Sequence, residues 1–193
     1  MRKITLIQGH PDPAGGHLDH ALADAYATGA IRAGHALERI EIASLDFPLL
    51  RNKQAFEHGP TPEALLPAQA AIAGAEHLVF VYPIWLGDMP ALLKGFLEQT
   101  LRPGFAFDYL DGGKVHMRLK GKSARIVVTM GMPAIAYRWF YGGHSVKSFE
   151  RNILNFVGIK PVATSLYGMV EATSAVTRDG WLDELHALGK VAS

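Results

Sequence analysis

The chain has 193 residues, 19 basic and 18 acidic side chains for a net charge of +1, and no cysteine. That length suits one domain over residues 1–193 with a sizeable buried core, and the balanced charge lacks the basic stripe that nucleic-acid binding requires. Absent cysteine excludes disulfides, thiolate metal sites and thiol nucleophiles, while no apolar run is long enough to span a bilayer or, at the N-terminus, to serve as a signal peptide. The expectation is a single cytoplasmic domain.

Lys3 to Gly9 reads as a first strand, followed by the loop His10-Pro11-Asp12-Pro13-Ala14-Gly15-Gly16-His17. Leu18, Ala21, Leu22 and Ala25 then share one helix face. Leu37 to Ile42 is a second strand, and its Glu38, Arg39 and Glu41 suit a sheet edge. Asp46 to Pro60 has no periodicity and reads as surface loop. Thr61-Pro62-Glu63 offers a cap, a first-turn proline and an acid, which predicts a helix through Ala73. His77 to Tyr82 is nearly continuous apolar sequence, as in a central parallel strand covered on both faces. Pro90 heads the next helix, with Leu92, Leu93, Phe96, Leu97 and Leu101 at helical spacing. After a long connection from Arg102 to Lys122, Ser123 to Thr129 is a strand and Met130 to Gly143 a loop. Ser145 to Phe156 is a helix, Pro161 to Tyr167 a fifth strand, and Trp181 to Leu188 a short final helix. This alternation implies an α/β fold, a doubly wound parallel sheet with right-handed crossovers.

In open sheets of this kind ligands bind outside the carboxyl ends of the strands, so the three loops after strands one, three and four are the candidates. The first is glycine-rich and opens a helix, whose free N–H groups and partial positive charge suit a phosphate. His10 and His17 add donors there. Its plain structural alternative is a turn that only joins strand to helix. No Gly-x-Gly-x-x-Gly exists, and Gly121-Lys122-Ser123 lacks the upstream glycine of a phosphate-binding loop, where His116 stands instead. The second loop, Pro83-Ile84-Trp85-Leu86-Gly87-Asp88-Met89, offers a rigid start and the backbone amides of Ile84, Trp85, Leu86 and Gly87. The plain structural alternative is that Trp85 and Met89 plug the core.

Two blocks then carry a resemblance. Pro83, six residues, Pro90-Ala91-Leu92-Leu93-Lys94-Gly95, and the later Gly104-Phe105-Ala106-Phe107-Asp108-Tyr109 are similar to the NAD(P)H:quinone oxidoreductases of flavodoxin-like fold (the DT-diaphorase and modulator-of-drug-activity type). The resemblance runs from Ile4 to about Pro161. It implies a flavodoxin-like three-layer sandwich with a five-stranded parallel sheet in the order 2-1-3-4-5 and helices on both faces. It implies hydride transfer from NAD(P)H through a flavin, FAD first and FMN as the alternative, to a quinone or similar small acceptor.

By the same resemblance the flavin contacts are His10, His17 and Leu18 in the first loop, Pro83, Ile84, Trp85 and Leu86 in the second, and Thr129, Met130 and Gly131 in the third. Asp19 stands where relatives have Asn, and Gly16 and His17 where they have hydroxyls. Tyr137 and His144 are the catalytic pair, with Tyr141 in close competition for the tyrosine role. Phe107 and Tyr109 wall the substrate pocket, often from a partner subunit, which implies a homodimer with the active site near its interface. No metal is expected. Two other readings stay open. One is a flavodoxin-type electron carrier or flavin-binding regulatory subunit of a transporter, although carriers usually dock through acidic surfaces. The other is a metal-dependent hydrolase using His17, His20, Asp19 and Asp24, which lack any His-x-x-x-His spacing.

Overall fold

A computed structural model describes residues 1–193. Its strands are β1 (Lys3–Gln8), β2 (Ala36–Glu41), β3 (His77–Pro83), β4 (Phe107–Tyr109), β5 (Val115–Met117), β6 (Ser123–Thr129) and β7 (Val162–Tyr167). Five of them form a parallel sheet in the order β2-β1-β3-β6-β7, which is the expected 2-1-3-4-5 arrangement of the main strands. β4 and β5 form a separate antiparallel hairpin.

The helices are α1 (Leu18–Arg32), α2 (Lys53–His58), α3 (Leu66–Gly74), α4 (Ala91–Thr100), α5 (Ala134–Trp139), α6 (His144–Ser148), α7 (Asn155–Val157) and α8 (Ala175–Val191). A π-helical stretch, Phe149–Leu154, joins α6 to α7.

Alternation along the strands divides the core in two. Ile4, Leu6, Val79, Val81 and Val127 face α1 and α8, meeting Leu22, Ala23, Tyr26, Ala30 and Leu185. Leu78, Phe80, Tyr82, Ile126 and Val128 face the opposite way, onto Ile72 of α3, Leu93, Phe96 and Leu97 of α4, and Val146 and Phe149. β3 is buried at every position because it has a strand on each side and helices on both faces. α1 and α8 touch through glycines: a Cβ on Gly29 would lie 2.0 Å from the His186 carbonyl, and one on Gly189 would lie 2.1 Å from the Tyr26 carbonyl.

Several elements differ from their sequence expectation. The supposed surface loop 46–60 contains α2, whose first turn is capped by Asn52 accepting from the Ala55 N–H at 2.8 Å. Its other end is held by the buried Arg102 guanidinium, which donates to the carbonyls of Ala55, Gly59 (2.8 Å) and Pro60 (2.7 Å). That clamp comes from more than forty residues away, so no local pattern announces it. Thr61 is not a cap: a 3-10 turn at Glu63–Leu65 precedes α3, whose first-turn proline is Pro67. The 130–143 loop contains α5 behind Pro133. The last helix is 17 residues long because Ser174 caps it, its hydroxyl accepting from the Thr177 N–H at 3.2 Å.

Parallel strands in register put the loops after β1, β3 and β6 on one rim. Gln8 pairs with Val81, and Pro83 with Thr129, so the three chains leave the sheet within two residues of the same level.

Candidate functional site: three loops on the carboxyl rim

His10 lies two residues past the end of β1 and is 6% exposed. Its Nδ1 accepts the Asp12 N–H at 3.1 Å, so the neutral ring carries its proton on Nε2, which has no partner within the chain. His17 stacks on it with ring centroids 4.0 Å apart and bonds Asp12 Oδ2 at 2.7 Å. His20, one turn into α1, completes the group at 5.3 Å from His10 and 5.7 Å from His17. Burial, helped by the charges of His17 and His20, lowers the His10 pKa to about 4. The hydrogen bond from His17 holds Asp12 below the usual carboxylate range. Gly15 and Gly16, both at positive φ, have open space where a Cβ would point.

The second loop meets the first through Trp85, whose ring stands edge-on to His10 at 5.8 Å. It is a tight turn: Trp85 and Asp88 exchange backbone hydrogen bonds at 2.8 and 3.0 Å, and Leu86 and Gly87 between them have φ of 49° and 84°. This corrects the expectation of four available amides. The Trp85 N–H is spent on Asp88, and the Ile84 N–H on the Thr129 carbonyl at 2.8 Å. Leu86 and Gly87 keep theirs. Pro83 is buried as the last residue of β3.

Thr129, the end of β6, does not present its hydroxyl to the rim. The hydroxyl bonds the two oxygens of Asp19 at 3.0 Å each. Asp19, 4% exposed, turns inward from the first turn of α1, and burial raises its pKa from 3.8 to about 6 against the lowering effect of that bond. The acid that stands beside the phosphate loop therefore faces away from it. Met130 is buried; Gly131 is exposed with open space at its Cβ position. The Ile84–Thr129 bond and the Asp19–Thr129 bond tie all three loops to the end of β6.

The proposed proton-handling residues lie beyond this third loop and separate. Tyr137 is 3% exposed, with its hydroxyl 2.7 Å from Ser145 Oγ and accepting the Val146 N–H at 3.2 Å, at the start of α6. Tyr141 is 53% exposed, and the exposed His144 ring folds over Gly142. Phe107 is buried against Phe156 at 4.9 Å and Phe56 at 6.5 Å. With the exposed Tyr109 it flanks a groove beside Leu97 and Leu101, near the end of α4 that points away from the rim. Within one chain this pair does not join the three loops.

The rim fits a phosphorylated flavin: an unpartnered donor on a largely buried imidazole, a glycine-rich approach to a helix N-terminus, two free amides in a tight turn and an indole beside them. No three His, Asp or Glu side chains are grouped so as to hold a metal ion. No helix is long and apolar enough to cross a membrane. Asp19 and His20, weighed in the sequence as metal ligands, instead lie at the start of α1, Asp19 bonded to Thr129 and His20 beside His10.

The ribosyldihydronicotinamide dehydrogenase [quinone] of Homo sapiens is 29% identical over 219 aligned residues, covering 98% of this chain and 93% of the relative. Among solved structures, the NAD(P)H:quinone oxidoreductase from Methanothermobacter marburgensis superposes with a TM-score of 0.85 at 22% identity, covering 100% of this chain and 99% of that one. An FMN-dependent NADH-azoreductase from Bacillus anthracis, solved in complex with FMN, gives 0.77 at 16% identity with full coverage of both. A family model described as the flavodoxin-like fold matches residues 2–188, and the chain belongs to that family.

Proposed function

We propose that the protein is a cytoplasmic, flavin-dependent NAD(P)H oxidoreductase that passes hydride from a nicotinamide to a quinone or similar flat acceptor. The observation that carries this is the joining of three loops from β1, β3 and β6 on one rim, with the His10 ring against Trp85 and the Ile84 N–H on Thr129. The names of the relatives support the reaction class. FAD was the first expectation; FMN is the better choice, because the flavin named for a protein of this fold and full length is FMN.

When bound, the flavin would take hydride from NAD(P)H and give it to the acceptor. The chain supplies binding and electrostatics. His10 and the α1 N-terminus hold the phosphate, the free amides of Leu86 and Gly87 donate to one ring edge, and the Met130–Gly131 backbone lines another. Trp85 shields the ring from water. Tyr141 takes the tyrosine role, since its hydroxyl is free and that of Tyr137 is not, and the exposed His144 ring beside it serves the acceptor oxygen.

The acceptor pocket is completed in a homodimer. Ile135, Trp139 and Phe140 leave an exposed apolar strip beside the rim, and Tyr109 reaches a rim only if that rim belongs to a second copy. The test is to add FMN to the purified chain, follow visible absorbance on binding, and then measure NAD(P)H oxidation with and without a quinone. Retained yellow colour and quinone-dependent oxidation are expected. A chain that takes up no flavin refutes the reading.

A further inference from the structure

Three histidines meet where the first loop enters α1, more than one donor to a phosphate requires. Stacked rings 4.0 Å apart cannot both carry charge without strong repulsion. His10 faces His17 and Asp12 on its own loop, His20 on α1 and Trp85 across the rim. His17 faces Asp12, and Asp19 on α1 senses its charge. His20 faces Asp24 on α1 and Arg39 and Glu41 on β2. Burial is the largest influence on both His10 and His20 and lowers both. Without a ligand, His10 and His20 are therefore both held toward the neutral form.

Two details point to an anion arriving there. His10 is more than nine-tenths buried, yet its Nε2 has no partner. The Nδ1 of His20 is buried and likewise unpartnered. An anion among the rings reverses the balance, because a negative charge within about 4–6 Å favours the protonated imidazole.

We propose that this loop binds the flavin's phosphate together with a proton from solvent, taken up by His20. His10 contributes differently. With Nδ1 occupied by the Asp12 N–H, it stays neutral and donates from Nε2. The inference rests on the flavin reading above and adds a proton to it: one phosphate and one H+ enter together, and both leave together.

The test is calorimetry of the full-length chain near neutral pH, in phosphate-free buffers of differing ionisation enthalpy, titrated with FMN and separately with riboflavin. For FMN the apparent enthalpy is expected to change with buffer in the sense of proton uptake, by up to about one proton per site, and riboflavin is expected to show none. Above neutrality, where the phosphate is already fully ionised, FMN affinity should then fall by up to about tenfold per pH unit. The variant His20→Gln should lose the uptake. His10→Gln should weaken FMN binding and keep it. Asp19→Asn, which removes the nearby carboxyl whose own pKa is raised toward neutrality, should also keep it. FMN binding without uptake, or uptake that disappears in Asp19→Asn but survives in His20→Gln, overturns the proposal and leaves the flavin site standing. No FMN binding at all overturns both.

Discussion

Asp19 offers the sharpest test of how the rim is built. Its carboxyl is buried under the α1 N-terminus with one side-chain partner, the Thr129 hydroxyl, and burial raises its pKa from 3.8 to about 6. Between those values the folded chain holds a proton that the unfolded chain has released. Stability therefore falls as pH rises through that window, and above it the whole cost of an ionised buried carboxylate is present. At about 1.4 kcal/mol per pKa unit, the cost is roughly 3 kcal/mol. Asparagine keeps an acceptor oxygen for Thr129 and carries no charge. Asp19→Asn is thus expected to be more stable than the parent by about 1–3 kcal/mol near pH 8, and about equal to it near pH 4. Urea unfolding followed by circular dichroism across that range measures both curves. Two parallel curves, with the same gap at every pH, would show that Asp19 is not the titrating group and that the account of its burial is wrong.

Gly29→Ala should destabilise the chain by about 3 kcal/mol or more, since its Cβ would meet the His186 carbonyl at 2.0 Å, whereas Gly180→Ala in open space on α8 should stabilise it by about 0.5–1 kcal/mol; thermal melts separate the two. Tyr137→Phe leaves the Val146 N–H without its partner and should cost about 1–3 kcal/mol of stability with little change in turnover per folded enzyme. Tyr141→Phe should do the reverse, lowering quinone turnover while the melt is unchanged, and a stable but fully active variant would remove Tyr141 from the mechanism.

The main sheet was legible because each buried strand is a short apolar run bounded by glycine, proline or a loop, and strand pairing follows from the family order. The elements that escaped the sequence are those held by distant partners. α2 is a six-residue helix with no buried residue, and its Ala55 and Phe56 carbonyls accept from Arg102. The hairpin of β4 and β5 has three residues a side, too few for alternation to show, although Phe107 anchors it among Phe56, Tyr109 and Phe156. α5 starts behind Pro133, a fair helix signal, yet Gly142 and Gly143 nearby made the whole segment read as loop.

The site was legible in its loops and less so in its atoms, and hydrogen-bond accounting explains the difference. A sequence shows that Ile84, Trp85, Leu86 and Gly87 each have an N–H, but not that a neighbouring strand end takes the first and a two-residue turn the second. It shows two tyrosines four residues apart, but only the packing of α5 on α6 decides which hydroxyl is consumed. It shows Asp19 at the head of a helix, where an acid normally serves the helix dipole, while its partner Thr129 lies 110 residues away. Each of these groups has a fixed number of hydrogen bonds to make. A polar atom already satisfied inside the chain is a weak candidate for a ligand, and one left unsatisfied on a largely buried ring, such as His10 Nε2, is a stronger one. By that criterion the first loop and the three imidazoles at its junction with α1 are the stronger candidate for gripping the proposed flavin, and the exposed Tyr141–His144 side is the candidate face for its acceptor.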